Sequence, residues 1–362
     1  NGATIQNTAT EDGIKPTIVV SDKNMAQTTS QNIVDASGAT VGTTTYSDSA
    51  ITVDVADANI IGDVVKISNL TQKPTTSDGG NTSLEINNSE VDGNVYNQSV
   101  TDLGITSSTV TGNVEVTEGG TGDITVVSST VGSVGESVIV VNSTVGEEED
   151  VTKVPDGASV EAVIGTKTYV TLADAIANAQ ENDVITLVKD LTVSLDGVAD
   201  NSAAYIINEN ITLDGNGKTL TATATTPKPA DASATKRHVI LASDGAEVEI
   251  KNLVVDGAGY AKHGIQAYTA PGSEDQTKLT LDNVTSKNNM GYGVVVNASS
   301  IEATALYTSG NGWGGVNVDS KAASAFFSMS SGTIAEESSV VMESAEAGTS
   351  AIEITGGDFQ NV

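Results

Sequence analysis

The segment TYVTLADAIANAQENDVITLVKDLTVSL, residues 168–195, sets a short amphipathic helix directly before a run of strand. Leu172, Ala175, Ile176 and Ala179 recur at i, i+3, i+4 and i+7, which is one apolar stripe on a helix. Thr171 is placed to cap it, and Asp174 puts a carboxylate in the first turn, where the helix dipole favours negative charge. Val184-Ile185-Thr186-Leu187-Val188 then reads as strand, and Leu191, Val193 and Leu195 alternate with polar residues. Nowhere else in the chain does a helical period sit beside so clear a strand pattern. The segment predicts a lid, a helix near residues 171–180 that closes the open end of a stack of strands running to the C-terminus.

Short repeats lie on both sides of this lid. Upstream, Asn88-Ser89-Glu90-Val91, Ser107-Ser108-Thr109-Val110, Ser128-Ser129-Thr130-Val131 and Asn142-Ser143-Thr144-Val145 restate one pattern, each followed closely by a glycine. Ile67-Ser68-Asn69-Leu70 is expected to be an earlier turn of the same series, one coil before Ile86. Downstream, Gly264-Ile265-Gln266-Ala267, Gly293-Val294-Val295-Val296 and Gly315-Val316-Asn317-Val318 align, as do Ile250-Lys251-Asn252-Leu253 and Leu281-Asp282-Asn283-Val284. A period near 20 with several short strands per repeat points to a parallel β-solenoid, each coil rising by about 4.8 Å. A β-sandwich also uses short strands, but it has no reason to restate one motif at that spacing. The reading is all-β with two segments: a solenoid-like region over 1–155, less regular in its first 50 residues, and a capped parallel β-helix over 156–362. Glu147-Glu148-Glu149-Asp150 reads as a solvated linker, and residues 222–235, with Pro227 and Pro229, as a loop leaving the coil.

Composition narrows the function classes. Asp and Glu outnumber Lys and Arg by 47 to 16, and a net charge of -31 repels a phosphate backbone, which argues against nucleic acid as a partner. There is no cysteine, so neither disulfides nor thiolate metal sites hold the fold. No apolar run is long enough to span a membrane. The polar start from Asn1 to Asp12 is that of a mature or trimmed N-terminus, and Val362 follows directly on a coil motif, so a piece of a longer surface protein is expected.

The helix with Val184 to Leu195, the run Leu213-Asp214-Gly215-Asn216-Gly217-Lys218-Thr219-Leu220, and the coils to Phe359 together resemble the pectate-lyase-like right-handed parallel β-helix of extracellular bacterial proteins. Ile352-Glu353-Ile354-Thr355-Gly356-Gly357-Asp358-Phe359 is similar to a repeat in large surface proteins of Gram-positive bacteria. The resemblance implies a right-handed β-helix at a bacterial cell surface or cell wall. It implies no one activity, because lyases, hydrolases, adhesins and stalks share that architecture. Lys262-His263-Gly264 resembles the histidine motif of the hydrolases, with Asp256 and Asp282 as the carboxylates that such chemistry would need. The aspartate pairs and the Arg-x-Lys element of those enzymes are missing, and Asp256 and Asp282 equally suit bends.

A second candidate comes from composition. Tyr260, Tyr268, Tyr292, Tyr307 and Trp313 crowd into one stretch of a chain that is only 3% aromatic. Tyr260, His263, Asn289, Tyr292, Asn311 and Trp313 form the candidate ligand face, rings lying on the apolar faces of sugars and amides bonding their hydroxyls. The alternative is that the rings cover a bend while the asparagines form an internal hydrogen-bonded ladder. The function expected is that of a non-catalytic extracellular adhesin or structural surface protein, binding glycans or host surface ligands. A polysaccharide lyase or glycoside hydrolase, and an inert spacer, are the alternatives. No cofactor is expected, calcium being the one ion that the acidic composition leaves open.

Overall fold

The computed structural model describes residues 102–117, 121–343 and 349–360; before residue 102 it describes ten strand segments, with side chains only at Ile86 and residues 94–97. The chain divides into two compact units, residues 1–159 with 165–168, and residues 160–164 with 169–362.

In the first unit the repeated motifs stack on one another in parallel register. Val91 pairs with Val110, Val110 with Val131, and Val131 with Val145, as the sequence alignment predicts. Each motif turns a corner. Ser107, Ser128 and Asn142, the first residues of three motifs, take left-handed backbone angles with φ of 50°, 48° and 47°. The next residue, Ser108, Ser129 or Ser143, is buried at the inside of that corner. The Ser108 N–H donates to Ser129 Oγ and the Ser129 N–H to Ser143 Oγ, both at 3.1 Å. Each hydroxyl in turn donates at 2.8 Å to the carbonyl two residues before it. A serine ladder thus satisfies the amides that turning the chain inside a stack would otherwise strand.

The strands Ser30–Val34, Thr40–Ser47 and Ala50–Asp54 pair antiparallel as a meander, while Ala3–Ile5 and Thr17–Ser21 pair parallel with later strands. Two expectations for this unit change. Ile67 is not one coil before Ile86: its strand, Val65–Ser68, lies beside Thr17–Ser21, while Ser83–Asn87 neighbours Ala50–Asp54. Asn69, Leu70, Asn88 and Ser89 lie outside the described residues. Finally, Glu147 to Asp150 is no linker. After a turn at Gly146, the strand Glu148–Lys153 runs back antiparallel along Val138–Val145. A carboxylate-rich strand on a sheet edge deters further strands from adding there.

The second unit opens with the lid. Helix α1, Leu172–Asn178, is capped by Thr171, whose Oγ1 accepts the Asp174 N–H at 3.0 Å, and Glu161 Oε2 accepts the Leu172 N–H at 2.9 Å. Leu172, Ala175 and Ala179 are buried in one core with Ile185, Leu187 and Leu213, and Ile176 packs at its margin. The strand Val184–Leu187 pairs antiparallel with Ala162–Ile164 on one side and parallel with Thr212–Asp214 on the other, so the parallel stack begins here.

Above it the chain winds as a parallel β-helix between two kinds of strand. Ala203–Ile207, His238–Ala242, His263–Tyr268, Tyr292–Asn297, Gly314–Asp319 and Val340–Glu343 form a six-stranded parallel sheet in sequence order. Ile240, Ile265, Val294, Val316 and Val340 stack as one inward column of it. The longer strands Glu247–Asp256, Lys278–Lys287 and Ser300–Ser309 make a second face, bent at the left-handed residues Asn252, Asn283 and Ala305. Asn283 Nδ2 donates to Asn252 Oδ1 at 3.0 Å, the asparagine ladder expected from their matching positions. The aligned glycines serve close approach: a Cβ on Gly293 would lie 2.8 Å from Asn311 Nδ2 and 3.0 Å from the Gly315 carbonyl oxygen.

Leu172→Ala should cost about 2–5 kcal/mol, since it leaves a cavity under the lid; a lower urea midpoint for the chain checks this. Replacing the edge charges, Glu148→Val with Glu149→Thr, should leave the melting temperature nearly unchanged but promote self-association, visible as concentration-dependent light scattering.

Candidate ligand-binding groove

Once the coils are aligned, the outward positions of the six-stranded sheet can be read across it. Leu241, Gln266, Val295 and Asn317 lie in register and form a floor. Two residues further along each strand, Tyr268, Asn297, Asp319 and Glu343 form one rim. Asn317 Nδ2 donates to Glu343 Oε1 at 3.1 Å, Glu343 also pairs with Lys321, and Asp319 Oδ1 accepts the Lys321 N–H at 2.9 Å. The opposite rim is aromatic. His238, His263 and Tyr292 begin their strands, each one residue before the column that holds Val239, Gly264 and Gly293. Together these residues line a groove of about 470 Å³.

The rings of that rim stack along the coil axis. The centroids of His238 and His263 are 5.0 Å apart at 14°, and those of His263 and Tyr292 are 5.7 Å apart at 21°. Trp313 stands across the stack, 5.7 Å from Tyr292 at 70° and 6.0 Å from His263 at 61°. Lys262 Nζ sits 5.3 Å from the centre of the indole, within reach of a cation–π contact. Axial stacking spends the histidine faces on their neighbours, so the ring ladder is not an open platform. His263 is 7% exposed, whereas Trp313 is 43% exposed and offers the accessible ring surface.

Burial holds both imidazoles uncharged. His238 falls from an ordinary 6.5 to about 4 through desolvation and the Lys262 charge. His263 falls to about 2 through desolvation, the His238 beside it and Lys262. His263 Nδ1 accepts the Tyr292 N–H at 2.9 Å, which puts the proton of the neutral ring on Nε2.

Asn289 and Asn311, expected with the rings, are inside the coil at 2% and 7% exposure. Asn289 Nδ2 donates to Asn311 Oδ1 at 2.8 Å, and Asn311 Nδ2 donates to the buried Glu336 Oε1 at 2.6 Å. Thr308 Oγ1 also donates to Glu336, and Ser286 Oγ donates to the Gly293 carbonyl. These amides are corner fittings, not ligand donors: the 22-residue spacing stacks them, but on the inside, where turning backbone needs partners. Tyr260 is also elsewhere. It lies under Lys228 Nζ, 5.3 Å from the ring centre, and lines a separate pocket of about 380 Å³ with Arg237, Pro227 and Pro229, where the chain leaves the coil as expected. Asp256 is a bend residue: its Oδ1 accepts the Ala258 N–H at 2.9 Å and Asn288 Nδ2 at 3.0 Å, and it pairs with Lys287. Asp282 is exposed on the long-stranded face, in register with Lys251 and Thr304, while His263 is on the six-stranded sheet. The structure therefore brings together only His263, Tyr292 and Trp313 of the expected residues. Gln266, Asn317, Asp319 and Glu343 went unread as site residues, although the alignment of Gly264, Gly293 and Gly315 places Gln266 with Asn317 and Tyr268 with Asp319 in register; Glu343 lies on a coil that lacks that glycine. Among the described residues, no three His, Asp or Glu side chains are grouped to hold a metal ion.

Because both histidines have folded values below 6.5, the unfolded chain binds more protons between about pH 6.5 and pH 4, so their contribution to stability is complete above 6.5 and is lost as the pH falls. His238→Phe keeps a ring in the stack and removes one titration. Urea midpoints at pH 7, 5.5 and 4 should fall less steeply for this variant than for the parent.

Residues 164–325 match the family described as "Putative pectate lyase-like adhesive domain". No curated protein and no solved structure matches the chain. The matched span takes in α1 and every residue of the groove except Glu343, so the similarity is to a pectate-lyase-like module that carries the site.

Proposed function

We propose that the second unit is a non-catalytic adhesive module on the outside of a bacterial cell, and that the groove between Trp313 and the Tyr268–Glu343 rim holds a glycan or a glycan-bearing partner. The observation that carries this is the pairing of one accessible indole with a floor and rim of amides and carboxylates, inside a span similar to an adhesive family. Sugars present a C–H face to a ring and hydroxyls to amides and acids, and this groove offers both in register. A non-catalytic reading is supported by the imidazoles, which burial keeps neutral and stacked. It is supported further by the placement of Asp256 and Asp282 on other parts of the coil, where neither serves as partner to His263. A stiff stack with a groove on one side also suits display, since the side face stays fixed relative to the axis.

A glycan array probed with the full chain, followed by calorimetry on the best oligosaccharide, tests this reading. Binding should be saturable, and Trp313→Ala should weaken it about tenfold or more, the loss expected of an aromatic anchor. Product formation from a polysaccharide panel that is lost in His263→Ala would favour an enzyme instead, and silence in both assays would favour a spacer.

A further inference from the structure

The charges around the groove bear on which glycans it accepts, an inference that rests on the groove being a glycan site. A polyanionic chain carries a charge on every sugar or every second sugar, so a groove that follows it along the coil axis needs a cation on successive coils. The position two residues before the glycine column supplies Arg237, Lys262, Gly291 and Trp313 on four successive coils. Of these, only Lys262 offers its charge to the groove. Arg237, the single arginine of the chain, turns away, its Nη1 donating to the Leu195 carbonyl at 3.1 Å in the separate pocket. The imidazoles next in line are buried and uncharged. Across the groove, the column Tyr268, Asn297, Asp319, Glu343 ends in two carboxylates on adjacent coils, with Lys321 paired to the second. No bidentate arginine clamp for a carboxylate or sulfate exists here. An anionic chain would find the Lys262 ammonium on one side, two carboxylates on the other with the Lys321 ammonium already engaged by Glu343, and a chain of net charge -31 around it.

We infer that the groove selects uncharged glycans against polyanionic ones such as polyuronates or sulfated chains, with Trp313 giving affinity and Asp319 and Glu343 giving the discrimination. The two carboxylates accept hydrogen bonds from sugar hydroxyls and repel acidic groups, so attraction for one class and rejection of the other come from the same atoms.

The test titrates the full chain with length-matched neutral, uronate-containing and sulfated oligosaccharides at low and high salt. Neutral chains should bind with little salt dependence and lose about tenfold or more in Trp313→Ala. In Asp319→Asn, the ratio of neutral to uronate affinity should fall, because the isosteric amide keeps a hydroxyl acceptor and removes the repulsion. A wild-type preference for the uronate or sulfated series, screened by salt and lost in Lys262→Ala, would overturn the inference while leaving glycan binding intact. Equal affinity for all three series would overturn it as well. Absence of binding to every series would overturn both the inference and the proposed function.

Discussion

A chain that climbs one strand spacing per coil must turn several corners inside each coil, and every corner puts backbone amides and carbonyls where water cannot reach. That constraint shapes both units. The first answers it with left-handed Ser107, Ser128 and Asn142 and the buried serine ladder behind them. The second uses Asn289, Asn311 and Glu336 on the inside of one corner and Asn252 and Asn283 on the outside of another. The apolar columns between corners provide the burial, but the corners set the register, because a hydroxyl or amide one coil away has a single matching partner.

Much of the fold was legible because the same constraint acts on the sequence. In the first unit a left-handed Ser or Asn at the corner, followed by an inward serine and then a valine column, writes a motif that recurs once per coil. The alignment of Val110, Val131 and Val145 needs nothing more. The lid was legible for the opposite reason: its apolar period belongs to a helix, and only an open end needs one. Illegible were the features that depend on strand direction. Glu147 to Asp150 has a solvated composition, and nothing local tells a charged linker from a charged edge strand running antiparallel.

The site was legible in part. Period alone brought Asn289 and Asn311 onto one line, yet period carries no sign for inside or outside, and both turn inward at the corner. Tyr292 and Trp313 were read correctly as neighbours, but their link to His238 runs through a register that skips the excursion between residues 269 and 277. Asp319 and Glu343 carry no motif of their own. They become part of a site only when the alternation of the aligned strands is followed to its end.

That excursion has an effect of its own on how such a molecule can change. The hydroxyls of Thr269 and Thr277 tie its neck, Thr269 Oγ1 accepting the Thr277 N–H and Thr277 Oγ1 donating to the Tyr268 carbonyl, both at 2.9 Å. The strands on either side stay in register with their neighbours, Ile265 with Val294 and Lys278 with Ser300. Gln276, the last residue inside the neck, is fastened to later coils, its Nε2 donating to the Ala298 carbonyl at 3.2 Å and the Ser324 carbonyl at 2.8 Å. It is therefore the residues before Gln276 that can be gained, lost or rewritten with least disturbance of the stack beneath, and Tyr268, on the groove rim, stands at the foot of that neck. Length and surface detail are inherited separately in this architecture: whole coils set the reach, and tied excursions set the character of the rim.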